Sequence, residues 1–500
     1  MRKLLTLLVP CFIGPLCANG QISASLAGDS AQYLLYEAAK LSHTFIYTLM
    51  PDGFNTVRLG YTYEKGTFVP AQGSTQIRAV SFNTEGKTTL GKVALWGQFG
   101  YQRITEDSTR FAHQTRNNTT TPYYMGSPVP VSYNRNVYQA KAIAQRVFLS
   151  NHLPLAVGLN YRIGDHYSVN DPRGSMSDYQ FDLSAGTGYI WRSKLTTTID
   201  GYYGYGQEQL NVAYKNINYV DSHAYPAYAN YLINGYGEPA LKRNDRVYRN
   251  KMIRSGGGAS FVWKDSITGI IAATGKWIRE QQRYIYQSGA GFDSLALYTL
   301  TTSSMHVVWS RRAWTATLDY EAQKGEDFHV RHKANNYQYR GKNYGAQITH
   351  SRNGNNYSVS VASHSTQRLD GTTGNHIHYT MLTLRPSFGM VRQSAKQDYW
   401  GYAVTLHYGK ATDKTLSVND GSAGMFTQQV IYHDYYFNTA DQAGGYLDLH
   451  YNKYFPGYYA GIKASIIYLR GMNFSALVLD EAMMPGKDRV SASLSLNFYF

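Results

Sequence analysis

Apolar and polar residues alternate without a break through residues 490–500, the end of the chain. Val490, Ala492, Leu494, Leu496, Phe498 and Phe500 fall on one face of a strand, and Ser491, Ser493, Ser495 and Asn497 on the other. Period two belongs to an extended chain whose two faces meet different surroundings. Two architectures use such a strand: a barrel with lipid outside and water inside, and the amphipathic edge of a soluble sandwich. The rest of the chain separates them.

From Phe54 onward the pattern repeats. Val57, Leu59, Tyr61 and Tyr63 alternate with Arg58, Gly60, Thr62 and Glu64. Leu155, Val157, Leu159, Tyr161 and Ile163 alternate with Gly158, Asn160 and Arg162, and Ile462, Ala464, Ile466 and Tyr468 continue the theme near the end. A strand needs about 9–11 residues to cross a bilayer, and these segments match. The connections alternate as well. Short turns are expected at Glu85-Gly86-Lys87, Ser150-Asn151-His152, Arg192-Ser193-Lys194, Lys264-Asp265-Ser266, Arg311-Arg312, Asn353-Gly354-Asn355, Ala395-Lys396-Gln397 and Pro456-Gly457. Longer polar stretches fall between them, at 66–74, 105–134, 168–177, 209–242, 285–295, 325–341, 365–376, 411–442 and 471–487. Turns on one side and loops on the other are the habit of an up-and-down membrane barrel, and a sandwich has no reason to keep it. The expectation is an all-β transmembrane antiparallel barrel of the outer-membrane type with 16–18 strands, both termini in the periplasm.

The N-terminus reads as an export signal. Arg2 and Lys3 precede an apolar run from Leu4 to Leu16, and Ala18-Asn19-Gly20 supplies small residues for cleavage before Gln21. Cys11 and Cys17, the only cysteines, lie inside it, so the mature chain has no disulfide or thiolate site. The expected division is a signal at 1–20, a helical lead-in or plug at 21–53 and the barrel at 54–500. Within the lead-in, Asp29-Ser30 caps a helix over 31–41 that sits in the lumen or at the periplasmic rim. No other stretch approaches the roughly 20 apolar residues of a membrane helix. Tyr (46) far outnumbers Phe (19) and Trp (7), which suits strands crossing a membrane–water boundary. Taking Arg2 and Lys3 from the 48 basic residues leaves 46 against 33 acidic, a net +13. The charge is scattered, so no nucleic-acid surface is expected.

Four further motifs carry a resemblance. The stretch Gly66-Thr-Phe-Val-Pro-Ala-Gln-Gly73, then Ser81-Phe-Asn-Thr-Glu-Gly86 and Leu90-Gly-Lys-Val-Ala-Leu-Trp-Gly97, is similar to the opening strands of a Bacteroidetes family of large outer-membrane barrels with unassigned function; Asn170-Asp-Pro-Arg173 resembles it too. Members are often encoded beside TonB-dependent receptors and surface lipoproteins, which implies a nutrient-uptake setting with such a partner. The closing strand resembles those of bacterial outer-membrane barrels, whose terminal aromatic (here Phe500) is read by the assembly machinery.

Candidates for chemistry are few. His376 and His378 share one face of a strand start, with His364 across the preceding loop, the best metal-ligand spacing in the chain. Polar residues at a strand rim are the favoured reading of them, and no metal or cofactor is expected. His166-Tyr-Ser168 has a lipase-like spacing, but parity turns both side chains into the lumen, away from lipid. Glu326-Asp327 with His329 reads as a solvated loop cluster. Arg58, Glu64, Arg162, Asp182, Lys463 and Asn497 point inward and give a lumen of mixed charge. The expected role is a non-enzymatic accessory or interaction barrel embedded in outer-membrane lipid; the alternative is a porin-like or substrate-specific diffusion channel.

Overall fold

The computed structural model describes residues 30–500 except 52, 193, 245, 420, 422 and 475–483. The export signal expected at 1–20 lies outside the described residues, as does the start of the lead-in.

Among the described residues, eighteen long antiparallel strands close into one barrel. The first seven are β1 (Phe54–Gly66), β2 (Gln76–Leu90), β3 (Val93–Thr109), β5 (Val131–Phe148), β6 (Leu153–Ser168), β7 (Arg173–Trp191) and β8 (Leu195–Ala213). Then come β11 (Val247–Asp265), β12 (Gly269–Ser288), β13 (Gly291–Arg311), β14 (Trp314–His329), β15 (Tyr337–Arg352) and β16 (Asn355–Asp370). The last five are β17 (His376–Gln393), β18 (Tyr399–Ser417), β19 (Asp441–Phe455), β20 (Tyr458–Met472) and β21 (Asp488–Tyr499). Three short strands, β4 (Tyr123–Gly126), β9 (Tyr231–Asn234) and β10 (Ala240–Leu241), form a separate small sheet inside the loops.

Each long strand pairs with its neighbour in sequence, and β21 pairs back onto β1 from Thr56↔Tyr499 to Gly66↔Arg489. Full closure leaves the sheet without an edge. The seam is also tied across the lumen: Arg58 Nε donates to Asn497 Oδ1 at 2.8 Å, and Arg489 pairs with Glu64 at 2.6 Å.

Side-chain parity follows the alternation in the sequence. In β6, Leu155, Val157, Leu159 and Tyr161 are exposed on the outer face, while Ala156 and Arg162 are buried within. Exposed Trp191, Trp314, Trp400 and Tyr357 sit beside the turns, and exposed Tyr161, Tyr179, Tyr344, Tyr408 and Tyr468 form a second belt. Trp400 and Tyr408 are eight residues apart and Trp191 and Tyr179 twelve. At about 3.3 Å per residue and a tilt near 40°, that spacing brackets an apolar band about 25 Å tall. The fold is a transmembrane up-and-down β-barrel of the outer-membrane type.

Eight short turns close one end and nine connections the other among these strands, as the alternation implies. The strands run further than expected into the loops at 168–177, 325–341 and 365–376, and two other boundaries differ more sharply. Glu85-Gly86-Lys87 is inside β2, and the chain reverses at Gly91-Lys92, where Gly91 takes φ +61°. Glu85 and Lys87 carry turn-like chemistry because they reach into the lumen, where they hold a separate segment (below). Residues 285–295 are no long loop but the tips of β12 and β13, joined at Gly289-Ala290. Above the bilayer the outer face is wet, so alternation fades while the strand continues. For the same reason the strands are uneven: β12 and β13 have 20 and 21 residues, β21 and β1 only 12 and 13.

Candidate functional site

The lumen is occupied at both ends by the chain itself. At the turn end lie α1 (Ser30–Ala39) and α2 (Ile46–Leu49). Tyr36, Ala39, Phe45, Ile46 and Met50 bury their side chains against Phe54, Trp96, Ile143, Val262 and Ala272 of the wall. The sequence left the lumen and the rim open for this helix, and the lumen is where it lies. Wall side chains capture its backbone. Lys87 Nζ donates to the carbonyls of Ile46 (3.0 Å) and Met50 (3.1 Å), and Gln145 bridges Thr44 O (2.9 Å) and Tyr47 N (3.0 Å). Lys264 Nζ donates to Thr48 O. Glu85 accepts from Tyr36 OH, from Trp96 Nε1 at 3.0 Å and from Lys40 Nζ at 3.2 Å. A buried ammonium or carboxylate with several partners is tolerable where an unpaired one would not be. Between the helices, His43 bonds Ser184 Oγ at 2.7 Å. Burial lowers its pKa to about 4, with Lys276 adding to the effect and Asp200 opposing it.

At the loop end, connections 110–130, 214–246 and 418–440 fold inward over the mouth. Phe111, Tyr123, Met125, Ile233, Phe426 and Ile431 form a core with Tyr133, Tyr248, Tyr284, Tyr298, Tyr337 and Tyr379 of the wall. The stretch expected as the loop 411–442 contains a π-helical turn, Thr427–Tyr432, that runs into α3 (His433–Thr439). Glu238 accepts from the backbone of Gly424 (3.0 Å) and Thr427 (2.8 Å) at the start of that helix, where a carboxylate meets free N–H groups and the positive end of the helix dipole. His113, buried in the same region, has its pKa lowered to about 3 by desolvation and then by Arg135. Asp327 accepts from Tyr123 OH and from the backbone of Asn336 and Tyr337, both at 2.7 Å. Asp327 is therefore not part of a solvated loop, as the sequence implied. It stands in β14, 2% exposed, while Glu326 faces outward to Lys324.

Between these two masses a vestibule remains on one side, between α1 and the strands nearest the seam. It has two adjoining cavities of about 280 and 390 Å³, and both are lined by Tyr33, Arg58, Asn497 and Tyr499.

The remaining candidates disperse. His364 points into the lumen, bonding Thr366 Oγ1 at 3.1 Å, whereas His376 and His378 bond Gln367 and Ser365 on the opposite face of the wall. The three imidazoles do not converge, because β16 and β17 pair in a register that sets Leu369 against His376 and places Ile377, not its neighbours, inside. No group of three or more His, Cys, Asp or Glu with metal-holding geometry occurs among the described residues. His166 does face inward, as parity requires, and is buried against Asp178 at 3.1 Å, itself paired with Arg162. Arg58, Glu64, Asp182, Lys463 and Asn497 face the lumen as well.

Sequence reasoning missed how the family motifs work. In 66–73, Ala71 N donates to Asp434 Oδ1 (2.9 Å), Val69 O meets His433 Nε2 (2.9 Å) and Phe68 packs on Phe437, so this loop docks α3. Glu85 and Trp96, from the next two motifs, hold α1. Asn170 ties to Ser132 N and Pro130 O, and Asp171 accepts from Lys215 N and Asn216 N, joining three loops. The signal was present: charged and amide residues at fixed places in motifs that the strand pattern did not need.

No curated protein matches the chain. Among solved structures it is similar to the apo FrpB iron transporter of Neisseria meningitidis (9% identity, 93% of this chain and 83% of that one, TM-score 0.42). It is similar also to BauA, the ferric preacinetobactin receptor of Acinetobacter baumannii (8%, 89% and 80%, TM-score 0.42), and to a Pseudomonas aeruginosa FadL homologue (8%, 93% and 93%, TM-score 0.34). A family model matches from residue 44, just ahead of α2, through to residue 500, and the chain belongs to the family of unknown function DUF6850.

Proposed function

We propose that this protein is an outer-membrane barrel of a nutrient-uptake system, closed at rest and working with a partner, a TonB-dependent receptor or a surface lipoprotein, rather than as an open porin or an enzyme. In this reading the turns and both termini face the periplasm and the loops face outward. One observation carries it: the chain fills its own lumen at both ends, with an anchored helical plug below and a Tyr-rich core above. A general diffusion pore has no use for two such seals. The partner follows from the family resemblance and from exposed loop aromatics such as Tyr225, a residue type suited to recognition.

Planar-bilayer recording tests the closed state. The intact protein should be nearly silent. Deleting residues 30–50 should raise conductance little, because the upper core remains; deleting them together with shortening 110–130 should open a channel, since eighteen strands enclose enough width for water. Large, regular steps from the intact protein, with neither kind of partner recovered by gentle detergent extraction, would make it a porin.

A further inference from the structure

The vestibule beside α1 is lined by three cations, Lys40, Arg58 and Lys463, and its charges are unevenly paired. Its linings contain three carboxylates, Glu37, Glu85 and Asp448, and each is engaged. Glu37 pairs with Lys40 at 2.9 Å; Glu85 takes Lys40, Trp96 and Tyr36; Asp448 takes Lys463 at 3.4 Å and Ser465. Lys40 and Lys463 are thereby compensated. Arg58 is not: no described carboxylate lies within ion-pair distance of it, and its bond to Asn497 is to a neutral amide. That bond uses Nε and fixes the guanidinium plane, and the Tyr499 side chain also hydrogen-bonds the guanidinium, so its terminal nitrogens meet only neutral groups where the cavities join. Tyr33 and Tyr499 flank this junction, and Asn83, Gln98, Asn356 and Ser358 supply neutral hydrogen-bonding groups around it.

We propose that Arg58 is the centre of a binding site for a small hydroxylated carboxylate. A guanidinium held by neutral partners and facing a cavity matches a carboxylate, which exchanges a neutral hydroxyl partner for charge-assisted hydrogen bonds. Cavities of this size hold small molecules, and their amide and hydroxyl lining suits the remainder of a hydroxylated solute. The net positive charge of the chain favours entry of an anion. The site rests on the uptake reading for its purpose, though binding can be read without any opening of the barrel.

Isothermal titration calorimetry of the full-length purified barrel decides it, with glucuronate, glucose and inorganic phosphate as probes. Glucuronate should bind at least ten-fold tighter than either of the others. Arg58→Gln should weaken glucuronate ten-fold or more, and Lys463→Gln, which removes a compensated charge, less than three-fold. If Arg58→Gln fails to show the heat-modifiable mobility of a folded barrel, Arg58→Lys serves, and should weaken glucuronate several-fold because the fork is lost while the charge stays. Equal binding of glucose and glucuronate, tighter binding of phosphate, no binding of any probe, or an unchanged affinity in the Arg58 variants overturns the site. None of these results bears on the conductance of the intact or truncated barrel, so the two readings fail separately.

Discussion

Leu159 and Asn160 stand side by side on β6 and face opposite worlds. Leu159 is exposed on the outer surface, and Asn160 donates to Asp182 inside. Leu159→Arg should cost about 2–4 kcal/mol, because a cation at mid-bilayer depth loses its hydration. Asn160→Arg should be much milder; Leu494→Arg and Ser493→Arg should repeat the contrast on β21. Equal losses at neighbouring positions, measured by urea unfolding in lipid vesicles, would show that the facing is misassigned. Phe500 exchanges backbone hydrogen bonds with Asn55, at 2.9 and 3.1 Å, and so completes the seam. Phe500→Asp should lower the yield of assembled barrel more than a substitution at Asn419 in the loop beyond β18, as read by heat-modifiable mobility. Facing was legible in the sequence because period two needs nothing beyond the strand. The partners of an inward residue were not: His364 and His378 are close in sequence, yet the register between β16 and β17 puts a wall between them.

At the scale of elements, the plug is the part with a testable hold. Lys87→Met leaves the carbonyls of Ile46 and Met50 without their ammonium, at a cost of about 1–3 kcal/mol. Hydrogen exchange of the amides in 30–50 should accelerate on the order of ten-fold or more, while the strands stay protected. Acid should act in the same direction through His43. Its pKa is depressed when docked, so the docked state binds fewer protons than the undocked one between about pH 6.5 and 4. Docking is therefore at full strength above pH 6.5 and weakens as pH falls through that window, by on the order of 1–3 kcal/mol. Exchange in 30–50 that is indifferent to pH across this range, after correction for the intrinsic rate, would remove His43 from the account. The plug helix, expected over 31–41, runs Ser30–Ala39, with Asp29 of its expected cap outside the described residues, and was legible in the sequence. Its seat was not, since the anchors Glu85, Lys87, Gln145 and Lys264 come from strands far apart in sequence. The helix at 427–439 was hidden for a related reason: its apolar residues serve a core shared by several loops.

For the whole molecule, a closed sheet has no edge from which to unzip. The mature protein should fractionate with the outer membrane and migrate faster unboiled than boiled; recovery as a soluble periplasmic protein would contradict the fold. The strand count and the alternation of turns and loops were readable because each hairpin repeats one local rule. The occupation of the lumen was not, because it depends on segments that meet only after the barrel exists. The unequal strand lengths have a consequence for traffic. On the side of β12 and β13 the wall stands roughly 20 Å higher than at β21 and β1, taking nine residues at about 3.3 Å each and allowing for tilt. The low side is the seam, directly above the strands that carry Arg58 and Asn497. A solute descending from outside to those residues travels its shortest path there, so the barrel has a lee side, and any partner that delivers cargo gains most by standing over it.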